Sequence, residues 1–247
     1  MALIHTIEKQ GNVLFKYRGQ IPVVLFIMAV PVILVTDYSR MDAATEFVVL
    51  CLSVCLSVIG QLIRAYTIGT TPRGTSGRNT DKQVAEQLNT SGIYSMLRHP
   101  LYLGNYLMWI GIVVYTWNGW FVAIVTLAYW LYYERIMFAE ERFLERKFGE
   151  VYLSWSQTVP AFIPSFKHIR KPDVPFSMKS VFRREYSGAL ATVLGFVFVH
   201  SLRNYSISGN AHPGMTALYV LAGASVIALF LRTLKHYTGV LKEDGRS

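Results

Sequence analysis

Between Leu101 and Tyr133 this chain runs for 33 residues without a single Asp, Glu, Lys or Arg. No other feature constrains its fold so strongly. Crossing the hydrocarbon core of a bilayer takes about 20 apolar residues in a helix, so the stretch is too long for one ordinary crossing. Its middle reads Trp117-Asn118-Gly119-Trp120. Asn-Gly is a strong turn dipeptide, and tryptophan favours the membrane–water interface. The stretch is therefore expected to fold as a tight helical hairpin over 101–138, with helices at about 101–116 and 120–138.

Four further runs lack Asp, Glu, Lys and Arg: Ile21 to Thr36, Phe47 to Ile63, Ser187 to Leu202 and Met215 to Leu231. Each extends by a turn into aromatic or long basic flanks, which suit the interface. The expectation is an all-α polytopic membrane bundle. Its six spans would lie at about 20–37, 46–66, 101–116, 120–138, 186–202 and 214–233. Only 16% of residues are charged, against roughly 25% in a soluble domain. Two cysteines exclude a disulfide framework. Cys51 and Cys55, four apart on the second span, read as small packing residues. Ser187, Ala191 and Gly195 read as a helix-packing face.

The net charge of +9 then has a simple use. With both termini in the cytoplasm, the cytoplasmic segments carry 22 of the 24 Lys and Arg residues, and the outer loops only Arg40 and Arg203. This is the positive-inside pattern, and it argues against nucleic acid as a partner. No cleavable signal peptide is expected, since the first apolar run starts after residue 20 with no small-residue cleavage site behind it. The membrane would be the bacterial inner membrane, or that of the endoplasmic reticulum in a eukaryote.

Two cytoplasmic regions exceed what connectors need, and loops of that size are usually functional. They divide the chain into a two-span region (1–66), a core (67–165) and a two-span extension (166–247). Three polar clusters fall in or beside the core. In the first, Arg98-His99-Pro100 opens a helix, with Tyr102 and Gly104 just inside it. Proline suits the first turn, and a helix N-terminus presents unpaired N–H groups to an anion or a polar cofactor group. In the second, Glu134, Glu140 and Glu141 lie where a helix leaves the membrane. Carboxylates there are costly and tend to be functional. Glu145 to Glu150 reads as solvated helix, and Phe148-Gly149 as its stop. In the third, Arg64 precedes a Gly/Ser/Thr loop over 70–80 with Arg73 and Arg78, a composition suited to oxyanions. No metal-binding spacing is present.

Together the clusters resemble a known family. Gly92-x-Tyr94-x-x-x-Arg98-His99-Pro100-x-Tyr102-x-Gly104, Glu140-Glu141-x-x-Leu144-x-x-x-Phe148-Gly149-x-x-Tyr152, and Val159-Pro160 with Ile163-Pro164 are similar to motifs of the isoprenylcysteine carboxyl methyltransferase and phospholipid methyltransferase superfamily. The resemblance covers about residues 60–165 and implies methyl transfer from S-adenosylmethionine to a membrane lipid or lipidated substrate. It implies a cytoplasmic cofactor-binding cap in which His99, Pro100, Tyr102, Gly104, Glu140 and Glu141 line the cofactor pocket. Arg98 is then expected to hold the acceptor and, with Glu141, to carry catalysis. Arg64, Arg73, Arg78 and Arg135 are further acceptor-binding candidates. A carboxylate or phosphate acceptor needs no base, whereas an amine would need Glu141 or Glu134. The Arg- and Thr-rich insertion favours the anion. An NADPH-dependent reductase of the sterol-reductase type and a non-catalytic scaffold or transporter are the alternative readings.

Overall fold

A computed structural model describes residues 2–72, 74–75 and 83–246. Arg73, Arg78 and most of the 70–80 loop lie outside the described residues. The described chain is helical with no strand: α1 (Leu3–Tyr17), α2 (Ile21–Val35), α3 (Ala43–Gly69), α4 (Pro100–Val114), α5 (Gly119–Phe148), α6 (Glu150–Thr158), α7 (Met178–Ser208) and α8 (Gly214–Tyr237). Helices satisfy their own backbone polar groups, which hydrocarbon cannot do for them.

A helix stands at each of the six expected spans. Of these, α3, α5, α7 and α8 are long and apolar enough to cross a membrane. Helix α2 has only 15 residues, and it passes that test only with α1, from which it bends by 81°. Helix α4 is also 15 residues, about 22 Å at 1.5 Å per residue. Length and composition thus support four spans, or five with the bent pair. Helix α4 tolerates its shortness because it is enclosed. Met108, Ile110, Gly111, Ile112 and Val113 are all buried, against α3, α5 and α7.

The α3–α4 contact is close enough to need glycine. A Cβ on Gly111 would stand 2.4 Å from the Ser53 carbonyl oxygen, and the Ser57 hydroxyl donates to the Met108 carbonyl at 2.8 Å. Small residues let helix backbones approach in this way. On α7, Gly195 packs against Ile112 and Phe26. Ser187 is exposed, so the expected small-residue face is real only at its inner end. Cys51 and Cys55 also correct the expectation. Both are exposed on the outer surface of α3 and do not pack.

The hairpin forms where Asn118-Gly119 placed it, by a different device. Trp117 takes the left-handed turn (φ 60°). Asn118 caps α5, accepting from the Phe121 N–H at 2.9 Å and donating to Thr36 at 3.0 Å. Gly149 (φ 53°) stops α5 as expected.

Helix α1 was not foreseen. Gly11 lies so close to α5 that a Cβ would overlap the Arg135 carbonyl. Glu8 pairs with Arg146 at 2.7 Å, and the Tyr132 hydroxyl donates to the Leu14 carbonyl at 2.6 Å. The side of α5 that carries Arg135 and Arg146 thus packs on α1 and is not wholly solvated. At the other end of the bundle Arg203 is buried. It pairs with Glu46 at 3.1 Å and lies over the Tyr115 ring at 4.4 Å.

Candidate functional site

His99 is the N-cap of α4 and Pro100 its first residue. The segment before them is fixed by the proline-rich stretch after α6. The Arg98 and His99 N–H groups donate to the Pro160 and Ala161 carbonyls at 2.9 and 3.1 Å, and the Ser165 N–H donates to Met96 O at 2.9 Å. These bonds pair the two large polar regions and aim the side chains of 98–102 at the emerging end of α5.

Glu140 and Glu141 meet them there. Adjacent residues on a helix point about 100° apart, so the two carboxylates reach His99 from different sides. His99 Nε2 lies 2.9 Å from Glu141 Oε1, and Nδ1 lies 3.5 Å from Glu140 Oε2. Tyr102 Oη donates to Glu140 Oε1 at 2.7 Å, and its ring stacks on that of His99. Arg98 Nη2 sits 3.2 Å from Glu141 Oε1, while its Nη1 donates to the Ser156 carbonyl at 3.3 Å. The expected cluster is therefore one connected knot.

Burial alone would lower the pKa of His99, but the hydrogen bonds and charges of Glu140 and Glu141 outweigh it and hold the ring above its ordinary 6.5. The protonated ring donates from both nitrogens, which suits two carboxylate partners. A raised folded-state pKa gives stability that is full below the unfolded value of about 6.5 and is lost as pH climbs through the raised one. The melting temperature of the wild type should therefore exceed that of His99→Gln most at mildly acidic pH. The gap should close on the alkaline side. A gap independent of pH would show that His99 is not titrating between Glu140 and Glu141.

Beside the knot lies a cavity of about 270 Å³. Arg98 and His99 line it from just before α4, Pro100 and Tyr102 from α4, Glu140 from α5 and Arg64 from α3. Arg64 is firmly held. Its Nε and Nη2 donate to Glu185 at 2.8 and 2.7 Å, and its Nη1 donates to Asn105 at 2.7 Å. Gln61 donates to the same Glu185 oxygen as Nε, at 2.9 Å. Gly104 serves this arrangement, because a Cβ there would come within 2.5 Å of Arg64 Cγ.

Other candidates lie elsewhere. Arg135 is not in the cavity wall. It faces α1, donating to Gln10 at 3.1 Å and to its own Leu131 carbonyl at 2.9 Å. Glu134 is exposed on the outer side of α5. Within the insertion, Thr75 lines the cavity. Thr70 and Thr71 instead bond back to helix carbonyls, at Tyr66 and Thr67. Sequence reasoning missed Arg18, Asn105, Arg184 and Glu185, all in the wall. For Glu185 a signal existed: it is a lone carboxylate two residues before an uncharged span.

The family model for phospholipid methyltransferases matches residues 48–151. A nickel-cobalt-cadmium resistance protein, NccN, of Alcaligenes xylosoxydans xylosoxydans is 31% identical over 161 residues, covering 63% of this chain and 70% of that protein. The protein-S-isoprenylcysteine O-methyltransferase of Xenopus laevis is 36% identical over 90 residues, 36% of this chain and 31% of that enzyme. That of Tribolium castaneum is 29% identical over 119 residues, 46% of this chain and 41% of that enzyme. The chain thus spans less than half the length of these two methyltransferases. No solved structure matches. Apolar helices and relatives together define an integral membrane protein related to membrane methyltransferases. The chain belongs to the isoprenylcysteine carboxyl methyltransferase and phospholipid methyltransferase superfamily.

Proposed function

We propose that the cavity binds S-adenosylmethionine together with the anionic headgroup of a lipid, and that the reaction methylates an oxygen of that headgroup. The supporting observation is that the His99–Glu140–Tyr102 knot and Arg64 open into the same cavity. The residues present fit the donor. Glu140 offers a carboxylate to a ribose diol, and Arg98 a guanidinium to a carboxylate. Arg98 Nε is buried with no partner among the described residues, a donor suited to an acceptor from a ligand. When bound, S-adenosylmethionine supplies an electrophilic methyl group.

The protein's part is to bind, align and keep water away. The lining carries four arginines, Arg18, Arg64, Arg98 and Arg184, against Glu140 and Glu185, a balance that attracts an anion. Glu141 is not disposed to act as a base. Its Oε1 is engaged by both His99 and Arg98, so it fixes those two side chains. With Glu134 exposed, neither carboxylate proposed as a base for an amine faces the cavity. An acceptor that is already anionic needs none. The positive-inside pattern supports a site that faces the cytoplasm.

The test is methyl transfer from labelled S-adenosylmethionine to lipids extracted from the producing cells. Label in an acidic-lipid or carboxyl-ester fraction is expected. Label only in amine lipids would overturn the acceptor class, and failure of folded protein to bind S-adenosylhomocysteine would overturn the donor.

A further inference from the structure

Helix α1, with its C-cap, supplies Phe15 and Arg18 to the cavity wall. It turns by 81° into α2, a helix with no charged residue. If α2 runs along the membrane normal, α1 runs along the surface. Its sequence divides accordingly. At about 100° per residue, Ile7, Gly11, Leu14 and Phe15 form one sector, of which Gly11 and Phe15 are buried. Leu3, Val13 and Tyr17, interleaved with Thr6 and Gln10, form a second within an arc of about 80°, and the three apolar side chains are 72%, 51% and 48% exposed. His5, Lys9, Asn12 and Lys16 form a third, all exposed. The sector centres lie about 120° apart. A helix on the surface of a soluble protein needs two faces, one for protein and one for water. This one has a third, on which three apolar side chains stand exposed beside Thr6 and Gln10, with Gln10 touched at its edge by Arg135 of α5. The two lysines lie on the edge of the polar sector nearest the apolar one, where long basic side chains reach lipid phosphates.

We propose that α1 is an in-plane membrane helix. It is seated in the headgroup layer on the cavity's side of the bilayer, with Leu3, Val13 and Tyr17 in the acyl boundary and Lys9 and Lys16 on anionic lipid. Because α1 forms one wall of the cavity, its seat sets the width of the lipid entrance. That consequence rests on the methyl-transfer reading, whereas the seating does not.

The test uses the full chain with Cys51→Ser and Cys55→Ser, carrying a nitroxide at Val13→Cys, Tyr17→Cys, His5→Cys or Asn12→Cys. The protein is placed in vesicles of phosphatidylcholine, with or without phosphatidylglycerol. Spin relaxation by oxygen and by a water-soluble nickel chelate reads the depth of each label, without any turnover. Positions 13 and 17 should favour oxygen, and positions 5 and 12 the chelate. Phosphatidylglycerol should draw position 13 deeper, and the Lys9→Glu/Lys16→Glu variant should abolish that shift. Equal chelate access at 13 and 12 would overturn the proposal. So would protection of 13 and 17 from both reagents, which would mean a protein partner covers the face. A seat unchanged by phosphatidylglycerol would overturn the anionic-lipid contact.

Discussion

Glu141→Ala is expected to lower S-adenosylhomocysteine affinity and methyl transfer together, by roughly 30- to 150-fold. This corresponds to about 2–3 kcal/mol at 1.36 kcal/mol per tenfold. The size follows from what the carboxylate holds. One oxygen accepts from His99 at 2.9 Å and faces Arg98 at 3.2 Å. Hydrogen bonds to charged groups are worth about 1.5–3 kcal/mol, and a buried donor left unmade adds its own desolvation cost. His99 is buried, so water does not readily replace the lost partner. Among the described residues, Arg98 then has only the Ser156 carbonyl to orient it. Glu141→Gln keeps an acceptor but loses the charge, and should fall between wild type and alanine. Calorimetry on monodisperse protein measures the binding. Unchanged affinity with folded protein would remove Glu141 from the site.

The second large effect is on stability. Glu185→Ala should cost about 3–5 kcal/mol, the usual result of leaving one partner of a buried ion pair alone. The Glu185 and Arg64 side chains are 5% and 19% exposed, so solvent screening is slight. The double variant Arg64→Met/Glu185→Met removes both charges and leaves apolar chains of similar length. It should recover most of the lost melting temperature, while methyl transfer stays lost because Arg64 lines the cavity. Additive losses in the double variant would show that the two residues act independently. Restored activity would show that Arg64 is a packing element alone. The experiment also bears on α7, which lies outside the segment matched by the phospholipid methyltransferase model yet closes the cavity through Glu185. Features that distinguish acceptors are expected on this helix.

Much of this architecture could be read from local patterns. Long uncharged runs can bury themselves in a membrane only as helices, so the six helices followed from composition along the chain. Asn118-Gly119 and Phe148-Gly149 marked breaks because capping and left-handed turns are local chemistry. Pro100 placed the start of α4 for the same reason, and that put Arg98 and His99 at a helix N-terminus. The pairing of this segment with Glu140 and Glu141 came from a resemblance in motif spacing, and the geometry agrees with it.

Other features have no local signature. Helix α1 is weakly apolar by itself, and what fixes its place is the burial of Gly11 and Phe15 where it packs on α5. Arg135 and Arg64 look alike in sequence, but one faces α1 and the other the cavity, because the direction of each α3 or α5 face depends on which helix packs beside it. Glu185 meets Arg64 across 121 residues of chain, and nothing within one helix turn of either residue names the other. Periodicity and capping act over a few residues and are written in the chain. The choice of partner for a buried charge is made by packing, since only the assembled bundle excludes the water that would otherwise solvate it.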